Sequence, residues 1–216
     1  MNTTIEIIEE TDGWVAVNKP PSLSVHNAEA DTNLLEILQD HLNCRLHAAH
    51  RLDSPTSGVL LLGKTAHHTH QLQQALATAT KGYTAVLRGL VQPAEGRWSW
   101  SITNKGEGFR NPQGRKADQV PAHTTYQTIQ SNPYLTMVHL TLETGRQHQI
   151  RKHAAIAKHA VVGDQRYGDR RYNAKLAQRF GFEQLCLCAS RLEVFLDGTE
   201  RIFEAPIPQE WTQFFT

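Results

Sequence analysis

The chain has 216 residues, 39% of them hydrophobic and 20% charged, with a formal net charge of +1. That length and apolar content suit one domain with a sizeable core and exclude wholesale disorder, and no run of about 18 apolar residues is present to span a membrane. Cys44, Cys186 and Cys188 form an odd set without metal-ligand spacing. With no basic-then-apolar leader at the start, they predict reduced thiols and a cytoplasmic location rather than a disulfide framework.

Two strand-like runs come first, Ile5-Glu6-Ile7-Ile8 and Trp14-Val15-Ala16-Val17-Asn18. Lys19-Pro20-Pro21 stops the second, because proline cannot donate to a ladder. Asp31-Thr32 offers a cap candidate ahead of Leu34, Leu35, Leu38 and Leu42, a short amphipathic helix. Val59-Leu60-Leu61-Leu62 reads as a buried strand. Residues 65–79 read as a helix with Leu72 and Leu76 one turn apart, and 83–88 as a two-faced strand. Strand-like runs at 98–102 and 124–129 flank residues 104–118, whose Gly, Asn and charge predict a mobile loop. Val138, Leu140 and Leu142 alternate up to a turn at Thr144-Gly145. Residues 148–159 are helix-like, with Ile150, Ala154 and Ala157 on one side. Leu185, Leu187 and Ala189 alternate in a later strand, and 201–204 supply another. Many strands, few helices and hairpin-scale spacing predict an α+β fold with a mixed, mainly antiparallel sheet and flanking helices, as a single domain over 1–216.

Charge is unevenly spread: residues 1–50 carry net −6, 51–142 net +5, 143–179 net +6 and 180–216 net −4. A basic middle fits a polyanion-binding face, or only a solvated surface. No phosphate-cradling loop, dinucleotide turn or HExxH is present. His67, His68 and His70 read either as a metal cluster or as a solvated helix start.

Three stretches carry more polar chemistry than a scaffold needs. In His50-Arg51-Leu52-Asp53-Ser54-Pro55-Thr56-Ser57-Gly58, a carboxylate sits in a tight turn against an apolar run, which serves either an Asx-turn or a reaction. In Lys81-Gly82-Tyr83 the tyrosine is a core residue or a platform for a planar base. From Thr144 to His153 the chain runs through a turn into a basic helix start. Cations there oppose the helix dipole, which suits phosphate contact or pairing with a buried carboxylate, or else an exposed basic face.

These stretches, in this order, resemble the RluA family of RNA pseudouridine synthases. HRLD and TSG at 50–58, K-x-Y-x-A at 81–85 and TGRxHQIRxH at 144–153 match its main motifs. VAVNKPPSLSVH at 15–26, GDxxYG at 163–168 and LxLxA at 185–189 match as well. The resemblance covers nearly the whole chain. It implies the family's catalytic fold and the isomerisation of a uridine in ribosomal or transfer RNA. Asp53 matches the catalytic aspartate, Tyr83 the tyrosine that stacks on the target uracil, and Arg151 the basic residue that ion-pairs with the aspartate. Arg51 matches the arginine that enters the RNA stack when the base leaves it. Leu185 and Leu187 match apolar pocket residues, and Arg146, His148 and Lys152 in the third motif are expected to contact RNA. Cys188 stands where family members often carry histidine. No segment resembles the separate RNA-binding domain of larger relatives, so substrate selection is expected to rest on this domain and its loops.

Moving uracil from an N1 to a C5 bond is neither redox chemistry nor net hydrolysis, so no cofactor and no metal is expected. RNA is the expected partner and a monomer the expected state. Two other readings stand beside this one: a non-catalytic RNA-binding factor on the same scaffold, and a metal-dependent hydrolase built on the histidines.

Overall fold

The computed structural model describes residues 4–26 and 32–216. They form two compact units: Met1–Lys81 with Cys188–Pro206, and Gly82–Leu187 with Ile207–Thr216. No helix among the described residues is long and apolar enough to cross a membrane.

The first unit is built on strands β1 (Glu6–Glu10), β2 (Trp14–Lys19), β3 (His47–Ala48) and β4 (Ser57–Gly63), with β11 (Leu187–Leu196) and β12 (Thr199–Glu204) returning late in the chain. Antiparallel ladders join β1 to β2, β2 to β4, β3 to β4 and β11 to β12. β11 meets β4 in parallel at Cys188 and Ala189. Every residue of β4 is buried, as its unbroken apolar run requires. Helix α2 (Ala66–Leu76) buries Leu72 and Leu76; Thr65 caps it, and the chain leaves it three residues earlier than periodicity suggests. Helix α1 (Leu34–Leu42) buries Leu34 and Leu38. Its cap is Asn33, which shares a capping box with Glu36, whereas the expected cap Asp31 lies outside the described residues.

The second unit holds most of β5 (Thr80–Arg88), then β6 (Glu95–Trp98), β7 (Ile102–Thr103), β8 (Gln119–Val120), β9 (Thr124–Ser131) and β10 (Leu135–Leu142), followed by helices α3 (Gln149–Ile156) and α4 (Arg170–Phe180). The sheet order is β5-β10-β9-β6, with β7 and β8 as a separate small ladder. The run expected over 98–102 is thus interrupted between β6 and β7. Helix α4 was not read from the sequence, because its apolar positions are too sparse to mark a face. Its ends are nonetheless punctuated: Asp169 accepts from Arg171 and Tyr172 N–H groups, and Gly181 closes it in the left-handed region.

Residues 104–118 correct the expected mobile loop. They contain only one short 3-10 turn, yet they are tied down at many points. Lys152 Nζ donates to the carbonyls of Thr103 and Lys105, both at 2.7 Å. Arg166 donates to the carbonyls of Glu107 and Gly106, both at 2.7 Å. Asn104 accepts from Gln147 N–H at 2.9 Å. Composition alone reads such a segment as loose because the groups that hold it come from α3 and the 163–168 turn.

Candidate active site

In the first unit, the chain between β3 and β4 carries Arg51 and Asp53. Asp53 is half-buried and opens a backbone turn in which its carbonyl accepts Thr56 N–H at 2.9 Å. Arg51 is exposed beside it. The turn is anchored by a residue that motif chemistry had left unassigned. Lys19, the last residue of β2, is fully buried. Its Nζ donates to the carbonyls of Pro20 at 2.7 Å, Leu23 at 2.8 Å and Ser54 at 2.9 Å. Three carbonyls match the three donors of an ammonium. Burial lowers the Lys19 pKa to about 7, while the Asp53 carboxylate pulls it back up. The lysine therefore fixes both the proline turn after β2 and the residue next to Asp53.

The start of β4 has little room to shift. Gly58 lies at φ +112, and a Cβ there would meet the Ala189 carbonyl oxygen at 2.3 Å. His50, one turn before Asp53, accepts Leu61 N–H through Nε2 at 3.1 Å. Burial first, and the Lys81 charge second, lower its pKa to about 4. Cys188 pairs in register with Ser57; burial pushes its thiol up and a hydrogen bond from Ser57 offsets this in part.

In the second unit, Tyr83 is half-buried on β5, and Leu185 and Leu187 belong to the buried apolar set. The third motif surrounds the start of α3. Gln149 is its organiser: Oε1 accepts Thr144 O–H at 2.8 Å and Arg146 N–H at 3.0 Å, while Nε2 donates to the His123 carbonyl at 2.9 Å and Thr124 Oγ1 at 3.0 Å. One buried amide thus closes the 144–148 turn onto β9. His153 adds a second tether, with Nε2 on the Trp100 carbonyl and Nδ1 on Thr124 Oγ1, both at 2.9 Å. Because a carbonyl can only accept, Nε2 carries the proton, and burial lowers the ring's pKa.

Arg151 is buried and forms a two-pronged ion pair with Asp164: Nε to Oδ2 at 2.8 Å and Nη2 to Oδ1 at 2.9 Å. Its guanidinium lies 5.2 Å from the Tyr167 ring centroid. His148 caps α3 in the left-handed region at φ 56, and its Nδ1 is 2.8 Å from the Tyr167 hydroxyl. Arg146 is half-buried, with Nε on the Pro121 carbonyl at 3.3 Å. Lys152 requires a correction: expected to contact RNA, it is fully buried and its ammonium serves the base of the 104–118 loop.

The structure therefore gathers Arg146, His148, Arg151 and Lys152 about one helix start, and Arg51 with Asp53 in one turn. Lys19, Gln149, Asp164 and Tyr167 were missed as site residues, although all four lie inside matched motifs. The histidines of α2 form no ligand group; among the described residues no three His, Cys, Asp or Glu side chains are placed to hold a metal ion.

A model of the RNA pseudouridylate synthase family matches residues 13–156. The chain is 32% identical to tRNA pseudouridine synthase C of Salmonella typhi, across 98% of this chain and 89% of that protein. It is 29% identical to the Vibrio parahaemolyticus protein of the same name, across 98% and 94%. Among solved structures, human RNA pseudouridylate synthase domain containing 4 is similar with a TM-score of 0.78 at 25% identity, covering 96% of this chain and 90% of that one. Human RNA pseudouridylate synthase domain containing 1 shares the fold, with a TM-score of 0.79 at 23% identity over 96% and 85%.

Proposed function

From the premise that this chain belongs to the RNA pseudouridylate synthase family, and is therefore an isomerase acting on RNA, we propose that it converts a uridine of a transfer RNA to pseudouridine with Asp53 as the nucleophile. The N1–C1′ bond breaks, the uracil turns, and C5 joins C1′. C5 gives up its proton and N1 gains one, so nothing is oxidised or hydrolysed.

The observation that carries this reading is the Asp53 turn. A carboxylate that must attack the ribose or the base has to be held still, and Lys19 fixes the adjacent residue from a fully buried position. Arg151 serves as the basic residue of the reaction, its guanidinium held by the buried Asp164 carboxylate. Tyr83 stacks on the extruded uracil and repays part of a flipping cost of a few kcal/mol, while Arg51 fills the gap left in the RNA. Leu185 and Leu187 supply the apolar wall. Arg146 and His148, at the start of α3, together with exposed Arg110, Arg115 and Lys116, meet phosphates.

Transfer RNA rather than ribosomal RNA is favoured by the names of the relatives matched over nearly their full length. The test is pseudouridine mapping of total transfer and ribosomal RNA from cells with and without the gene. Loss of pseudouridine at a transfer-RNA position is expected. Loss confined to ribosomal RNA would overturn the substrate assignment.

A further inference from the structure

The GDxxYG turn at 163–168 has no part in the chemistry above, yet its backbone is closely constrained. Gly163 lies at φ +77, where a Cβ would come within 1.9 Å of the Gln184 carbonyl oxygen. At Gly168 a Cβ would meet the Asp164 carbonyl oxygen at 2.4 Å. Asn173, buried on α4, braces the turn from outside: Oδ1 accepts Gly163 N–H at 3.3 Å and Nδ2 donates to the Asp164 carbonyl at 3.1 Å. The Asp164 side chain is wholly buried. Its Oδ1 accepts the N–H groups of Arg166 at 2.9 Å and Tyr167 at 3.0 Å, and its two oxygens together grip Arg151. A planar fork against a planar carboxylate admits one orientation, and here the carboxylate cannot turn, because backbone donors hold it.

We propose that Asp164 is a positioning residue of the isomerisation: braced by Asn173, it fixes the direction in which Arg151 presents its charge. It acts only through Arg151, with Tyr167 as the floor beneath the guanidinium. This rests on the proposed reading of Arg151 as the basic residue of the reaction.

The test is Asp164→Asn. The amide oxygen still accepts from Arg166 and Tyr167, while the charge and half of the grip on Arg151 are lost. On transfer RNA, kcat per folded enzyme, with the folded fraction measured by circular dichroism, is expected to fall about tenfold or more with KM within about twofold, a split that a loss of RNA affinity does not produce. In an Arg151→Lys background, which has no fork to orient, the same change is expected to lower kcat less than about twofold. A kcat for Asp164→Asn close to the parent's, a loss carried wholly by KM, or losses that multiply in the double variant would overturn the proposal. Should Asp164→Asn fail to fold, Asn173→Ala loosens the same turn one step further out. It is expected to lower kcat about threefold at constant KM, and unchanged kcat there would overturn the proposal too. Arg151→Met separates the two levels. Near-parental activity of that variant removes the role of Arg151 itself, whereas an inactive Arg151→Met beside a fully active Asp164→Asn removes only the role of Asp164.

Discussion

Each unit buries one lysine completely, and the two are put to different uses. Lys19 closes on the carbonyls of Pro20, Leu23 and Ser54, and so on the turn that carries Asp53. Lys152 closes on the carbonyls of Thr103 and Lys105, and so on the base of the 104–118 loop. The device is the same: an ammonium satisfies main-chain oxygens that irregular backbone would otherwise bury unpaired. The consequences differ, because one lysine stands beside the candidate nucleophile and the other beside a loop that exposes Arg110, Arg115 and Lys116.

The largest expected effect is that of Lys19→Met. Three carbonyls lose their buried donor, which is expected to cost on the order of 3 kcal/mol of stability and to lower kcat about a hundredfold. Urea unfolding and single-turnover assays check this, and a stable variant with parental kcat would show that the cage does not matter to Asp53. Lys152→Met should behave otherwise. A stability loss of about 2 kcal/mol is expected, with trypsin cutting at Arg110, Arg115 or Lys116, and kcat at saturating RNA within about threefold of the parent. Collapse of kcat with the loop still resistant to trypsin would erase the contrast between the two lysines.

A smaller effect comes from His50 in the first unit. In the unfolded chain the ring takes a proton as pH falls through its ordinary 6.5, but in the folded chain only near about 4. Between those values the unfolded state binds the extra proton. Stability is therefore complete above 6.5 and lost as pH falls toward 4, by on the order of 2 kcal/mol once partial exposure of the ring is allowed for. His50→Gln keeps an acceptor for Leu61 N–H and removes the titration. Urea midpoints measured from pH 7 down to 4.5 should fall less steeply for this variant, and parallel curves would contradict the assignment.

The contrast also marks what a sequence can disclose. The apolar run of β4, the alternation of β10 and the turn at Asp53 are local patterns, and all were legible. The motif set placed Asp53, Tyr83 and Arg151 among candidate residues without any tertiary information. The burial of Lys19 and Lys152 was not legible, because a lysine reads as exposed unless distant carbonyls come to it. The tethering of 104–118 failed for the same reason: its anchors are Lys152 and Arg166, about 40 to 60 positions along the chain. The left-handed His148 at the start of α3 gave no signal either, since its partner Tyr167 comes from a turn 19 residues further along the chain.

The central claim is that the carboxylate at position 53 performs the isomerisation. Purified Asp53→Asn, assayed for tritium release from C5-labelled uridine in transfer RNA, tests it most directly. The amide preserves the size of the side chain and the turn to Thr56, so RNA binding should stay within about threefold while release drops by at least about a thousandfold. Tritium release at the parental rate from that variant would contradict the account.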